Sequence, residues 1–196
     1  MKISINANRC EPSPMRKFHP LAVQAKEDGK KIYHLNIGQP DIPTPAAFYE
    51  ATRAFDDKTL AYEASPGNPA LIAAIRKYYA ELGISLDAGD IFITTGGSEA
   101  LLFTCLSILD PYTEVIIPEP YYPNYTTFVH AAGGVIRALH TTAEEGYRYA
   151  FRDRIEKLIT KNTRAIMITN PGNPTGVVLT REEMRMIADV AKEPRR

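Results

Sequence analysis

From residue 90 onward, short apolar runs alternate with longer stretches whose apolar positions recur at helical spacing. The runs "IFITT" (91–95), "EVIIP" (114–118), "GVIRAL" (134–139) and "RAIMIT" (164–169) are rich in β-branched residues and predict strands. Between them "EALLFTCLSIL", "YTTFVHAAG" and "FRDRIEKLIT" predict helices. A last helix starts at Thr180, where Thr180 and Glu183 have the T-x-x-E spacing of a capping box. The helix at 98–109 is apolar nearly all round, so it is expected to be buried. Regular strand–helix alternation with short connections implies an α/β fold with a largely parallel sheet. The earlier chain is less regular. Residues 1–14 read as an arm with little periodicity, and "MRKFHPLAVQAKEDG" as a short helix near Pro20, stopped by Gly29. "KIYHLNIG" reads as a strand entering the loop "QPDIPTP", and "AAFYEATRAFDD" as a helix. "PALIAAIRKYYAEL" carries Pro69 in its first turn and Leu71, Ile72, Ile75, Tyr79 and Leu82 on one face.

Composition narrows the function classes. The chain has 196 residues, 44% hydrophobic and 23% charged, an ordinary globular balance. Its 23 basic residues equal its 23 acidic ones, which argues against a nucleic-acid or anionic-membrane binder. No apolar run approaches the roughly 18 residues of a membrane span, and the first residues lack the apolar core of a signal peptide. With only Cys10 and Cys105, a reduced, cytoplasmic protein is the expectation. His19, His34, His130 and His140 show no metal-ligand spacing, so no metal is expected.

Ligands of parallel α/β sheets bind beyond the carboxyl ends of the strands. Three loops there are rich in special residues. In "TTGGSEAL", Gly96 and Gly97 let backbone approach a ligand, and Ser98 adds a hydroxyl at a helix start that favours anions. The plainer alternative is a strand-to-helix turn with Ser98 as N-cap. In "PEPYYPNY", Tyr121, Tyr122 or Tyr125 can stack on a flat ring or simply pack on the rim of the core. In "NPGNPTG", the prolines fix a rigid path that can hold an asparagine amide toward a ligand. A rigid turn whose asparagines satisfy their own backbone explains Asn170 and Gly172, but does not need the second proline. Together the loops imply a phosphate, a stacked ring and an amide donor, as for a phosphorylated aromatic cofactor.

"NIGQPD", "GGSEAL", "PEPYYPNY" and "NPGNPTG" resemble, in order and spacing, motifs of the class I/II aminotransferases, which are fold-type I enzymes using pyridoxal 5′-phosphate. "YEASPGNPALIAAI" is similar to the segment before that family's large domain, and the likeness runs from about Phe18 to Ala191. The resemblance implies a three-layer α/β/α fold with a mainly parallel sheet. Residues 1–45 would form the N-terminal arm and a small-domain portion, and 46–196 the first part of the cofactor-binding large domain. It implies that Gly97 and Ser98 bind the cofactor phosphate, that Tyr122 stacks on its ring, and that Asn173 hydrogen-bonds the ring's phenolic oxygen and meets the substrate. Asn173–Pro174 is the bond expected to be cis. Gly38 would sit in the loop meeting the substrate carboxylate. Tyr62 matches the tyrosine that reaches the phosphate of the neighbouring subunit in a homodimer, or is a simple packing residue.

Two departures stand out. "DPYTEVI" has Tyr112 where the family commonly has glycine, in a surface turn. The family's Schiff-base lysine, its ring-nitrogen aspartate and the rest of the small domain have no counterpart among these residues, and Lys77, Lys157 and Lys161 fall on helix surfaces or just past a helix end. The expectation is therefore a truncated, incomplete large domain with no catalytic residue of its own, inactive alone. The alternatives are a pyridoxal-phosphate-dependent β-C–S lyase of the same fold and a non-catalytic fragment that binds a partner chain or nothing at all. A nicotinamide dehydrogenase is disfavoured because its glycine fingerprint is missing.

Overall fold

The computed structural model describes residues 2–10, 16–36 and 38–193. The remaining positions take with them the expected helix start at Met15, one residue of the strand expected at 31–38, and the final Pro-Arg-Arg, which all lie outside the described residues. The chain divides into two compact units, residues 17–95 and residues 1–16 with 96–196. This division falls elsewhere than the boundary at 45 that the motifs imply.

The second unit is built on three strands, β1 (Glu114–Pro118), β2 (Val135–Leu139) and β3 (Thr163–Ile166), in the order β2-β1-β3 and all parallel. Because side chains alternate across a strand, central β1 feeds two cores at once. Ile116 packs with Leu139, Tyr149, Ile155, Val177, Leu179, Ile187 and Val190 on one face. Val115 and Ile117 pack with Cys105, Leu109, Phe128 and Val129 on the other. The first face is covered by α7 (Arg152–Leu158) and α8 (Arg181–Lys192), the second by α5 (Gly97–Ile108) and α6 (Asn124–Ala131). The result is the expected three-layer α/β/α arrangement. Gly134, where α6 meets β2, allows the close approach: an added Cβ would lie 2.8 Å from Leu109 Cδ1.

The described residues of the arm, 2–10, are more ordered than the sequence implied. Residues Ile5–Asn8 form a short helix, α1, capped by Ser4. Asn6 Nδ2 donates to the Ala131 carbonyl at 3.3 Å, and Arg9 Nη2 to that of Gly134 at 3.2 Å, so side-chain bonds to the end of α6 supply the order that periodicity does not.

In the 17–95 unit, α2 (His19–Glu27) carries Pro20 in its first turn and gives way to Gly29 at φ +80°. α3 spans Ala46–Ala54, and α4 spans Pro69–Glu81 with Asn68 as its cap. Two strand expectations fail. Neither the described part of 31–38 nor 91–95 forms a strand, because a strand exists only through a ladder and the described residues give these segments none. Residues 91–95 run instead as an extended stretch, tied by the Ile93 amide to the Pro66 carbonyl at 2.9 Å. The burial expected of α5 also fails. Cys105 is fully enclosed, yet Phe103, Leu106 and Ile108 are 43%, 54% and 39% exposed. The helix is apolar on every side, but α6 and β1 cover only one stripe of it.

Candidate functional site

The loop ahead of α5 differs from the alternative in which Ser98 is the N-cap. The cap is Gly96, at φ +87° and ψ 168°, which makes no side-chain cap bond. A positive φ of that size suits glycine and strains other residues. Ser98 is therefore not the cap. It lies inside the first turn with its side chain exposed. An added Cβ at Gly96 or Gly97 would meet nothing within 4 Å, so there is space beside both residues. The helix dipole at this start favours an anion, although Glu99 in the same turn opposes it.

The tyrosine loop sorts its rings into different places. Tyr121 and Tyr125 stack with centroids 6.3 Å apart and planes 19° from parallel. Tyr122 meets Tyr125 edge-on at 5.6 Å, and its hydroxyl accepts from Asn124 Nδ2 at 2.8 Å. The Tyr125 hydroxyl bonds Thr169 Oγ1 at 2.7 Å, linking this loop to the end of the β3 segment.

The two asparagines of "NPGNPTG" do different things. Asn170 serves the backbone: its Oδ1 accepts from the Leu179 amide at 2.9 Å. The loop closes on itself through Gly172 N–H to the Val177 carbonyl (2.8 Å) and Gly176 N–H to the Gly172 carbonyl (2.7 Å). A Cβ on Gly172 would stand 2.6 Å from Thr175 Oγ1, which explains a glycine there. The bonds Asn170–Pro171 and Asn173–Pro174 are both cis, as is Glu119–Pro120. Asn173 is not spent on the loop's own closure and lines a cleft at the carboxyl edge of the sheet.

That cleft brings Asn173 together with Glu119, Tyr121, Tyr125, Tyr147, Tyr149, Thr169 and Thr175. Gly97, Ser98 and Tyr122 are not part of its lining. Its volume, about 20 Å³, suits a water molecule and not a pyridine ring. Thr169 was findable as the last residue of an apolar strand run. Tyr147 and Tyr149 carry no sequence signal, since they sit in an irregular stretch after β2. Tyr149 is buried, and burial pushes its phenol pKa up, reinforced by the Glu183 carboxylate. Glu183 itself is held below the usual carboxylate range by its bond from the Arg148 guanidinium and by the Thr180 amide.

Gly38 and Tyr62 belong to the 17–95 unit. Gly38 has open space where a Cβ would stand, and Tyr62 is fully exposed. Among the described residues no group of three or more His, Cys, Asp or Glu side chains is placed to hold a metal, and no helix is long and apolar enough to cross a membrane.

Comparison with known proteins gives a consistent picture. The family model for aminotransferase class I and II matches residues 30–195. Among curated proteins, a putative aminotransferase of Bacillus subtilis, YugH, is 35% identical over 97% of this chain and 49% of its own length. The aspartate/prephenate aminotransferase of Thermus thermophilus is 33% identical over 97% of this chain and 50% of its own. Among solved structures, the aspartate aminotransferase of Rhizobium meliloti superposes with a TM-score of 0.89 at 29% identity, covering 97% of this chain and 48% of that one. An alanine aminotransferase from Pyrococcus furiosus gives 0.89 at 32% identity, covering 97% and 49%. The chain thus spans about half the length of the curated relatives it matches.

Proposed function

The chain belongs to the class I and II aminotransferases, and from that premise we propose that its sheet edge binds pyridoxal 5′-phosphate in the service of amino-group transfer between an amino acid and a 2-oxo acid. The observation that carries the reading is the start of α5, where the space beside Gly97 is empty and Ser98 is exposed at the helix's first turn. That donor set fits a phosphate: backbone amides of Gly97 and Ser98 plus one hydroxyl. Asn173 holds the ring's phenolic oxygen with its side-chain amide, as well as meeting the substrate, and Tyr122 stacks on the ring. Gly38 belongs to the loop that receives the substrate carboxylate. Tyr62, fully exposed in this chain, reaches the phosphate bound by a second subunit in a homodimer. The free cysteines Cys10 and Cys105 are compatible with a cytoplasmic setting.

When bound, the cofactor supplies a ring that withdraws electrons from the substrate's reacting carbon. The residues of this chain hold and orient. None of the cleft's lining residues is a lysine, so they supply no amine to carry the cofactor or move a proton. Binding without groups that act in the transition state gives no rate, and the chain by itself is proposed not to transaminate. The relatives described above carry aminotransferase names, and no observation favours the β-C–S lyase.

The test mixes purified chain with pyridoxal phosphate, reduces with borohydride and maps modified lysines by mass spectrometry. Amino-acid/2-oxo-acid exchange is assayed on the same sample against free pyridoxal phosphate. Scattered, low-level labelling and exchange at the blank rate are expected. A single stoichiometric lysine adduct with exchange well above the blank would overturn the reading.

A further inference from the structure

Tyr149 is 5% exposed and packs with Val177 and Leu179, the residues that follow the 170–176 loop. It also lines the cleft beside Gly172, Asn173 and Thr175. Its hydroxyl is buried, and among the described residues it has no hydrogen-bond partner. A phenylalanine would supply the same ring without the cost of a buried, unsatisfied hydroxyl. Unsatisfied groups of this kind are few in native proteins, and a bound water or ligand is a usual reason for them. The cleft has room for about one water, and Thr169, Asn173 and Thr175 line it as further polar partners. Neighbouring Arg148 already clasps the far end of this segment, donating Nη1 to the Val178 carbonyl at 3.2 Å and pairing with Glu183.

We propose that Tyr149 is a positioning residue whose hydroxyl binds one water in the cleft and, through it, fixes the loop that carries Asn173. The hydroxyl donates to the water, and the water bonds onward to the polar groups of 169–175. Arg148 and Tyr149, adjacent in sequence, then hold the segment 169–183 at two points, one by an ion pair and a carbonyl bond, the other by packing and water. The proposal rests on the cofactor reading of Asn173 only for its consequence in binding, not for the water itself.

The experiment compares the chain with Tyr149→Phe, which keeps the ring and the core. Hydrogen exchange of the Gly172 and Gly176 amides, followed without cofactor, is expected to accelerate about tenfold in the variant, the scale of one lost hydrogen bond. Amides of β1 serve as the control and should not change. A crystal structure of the parent should show a water within hydrogen-bond distance of Tyr149 Oη that is missing in the variant. Unchanged or slower loop exchange, or no such water in the parent, would overturn the proposal. Pyridoxal phosphate titration separates the two readings. Faster loop exchange with several-fold weaker binding supports both. Faster loop exchange in a chain that never binds the cofactor supports the water anchor and sinks the cofactor site.

Discussion

Gly96, not Ser98, caps α5, so the alternative that made Ser98 the N-cap fails. Ser98 is exposed and does not cap α5, so Ser98→Ala should leave stability within about 0.5 kcal/mol of the parent. Gly96→Ala should cost about 1 kcal/mol or more, because alanine is strained at φ +87°. Urea denaturation of both variants checks the contrast. Glu183 gives a pH-dependent case. Its carboxyl is lowered in the folded state, first by the Arg148 bond, so its contribution is present above the unfolded value of about 4.3. It is lost as pH falls through the lower folded value. Glu183→Gln should therefore destabilise at pH 7, and the difference from the parent should shrink below about pH 4. A difference that stays constant from pH 7 to pH 3 would refute this. At this scale the sequence was partly legible. Asn170 and Gly172 were readable as turn residues, because their work is local. Nothing local says that Tyr121 and Tyr125 line the cleft, since that placement depends on contacts across the fold such as Tyr125 with Thr169, whereas the Tyr122–Asn124 bond is itself local.

Helix α8 is the element whose start was most legible. The Thr180–Glu183 box is formed in both directions, Thr180 Oγ1 accepting from the Glu183 amide and Glu183 Oε2 from the Thr180 amide. Thr180→Ala should lower stability by about 1 kcal/mol, read from the shift in thermal or urea midpoint. Caps and hydrophobic strand runs are short-range codes, so β1, β2 and the start of α8 follow from sequence. The segment 91–95 has the same β-rich composition as β1, yet composition cannot provide a ladder. Helix α5 fails in another way: being apolar all round states that it tolerates burial, not which side is covered. Its exposed side makes a prediction. Replacing Phe103 and Leu106 with serine should reduce dye binding and light scattering at high concentration. Replacing the fully enclosed Cys105 with a larger residue should instead destabilise the unit by about 1–3 kcal/mol.

At the scale of the whole chain, one strand organises a core on each side of the sheet. Ile116 is fully buried among residues of α7 and α8, so Ile116→Ala should cost about 2–5 kcal/mol. The fold class was legible because alternating strands and helices leave few arrangements, and the family likeness because four motifs keep their order across the chain. The central claim is that the start of α5 receives the cofactor's phosphate. Its most direct test is an equilibrium titration of the chain and of Ser98→Ala with pyridoxal 5′-phosphate and with pyridoxal. The account predicts that the phosphorylated form binds the parent more tightly, and that Ser98→Ala weakens it roughly tenfold or more, the scale of a hydrogen bond to a charged group, while leaving pyridoxal unaffected. Equal affinities for the two forms, or equal affinities of the two proteins for the phosphorylated form, would contradict it.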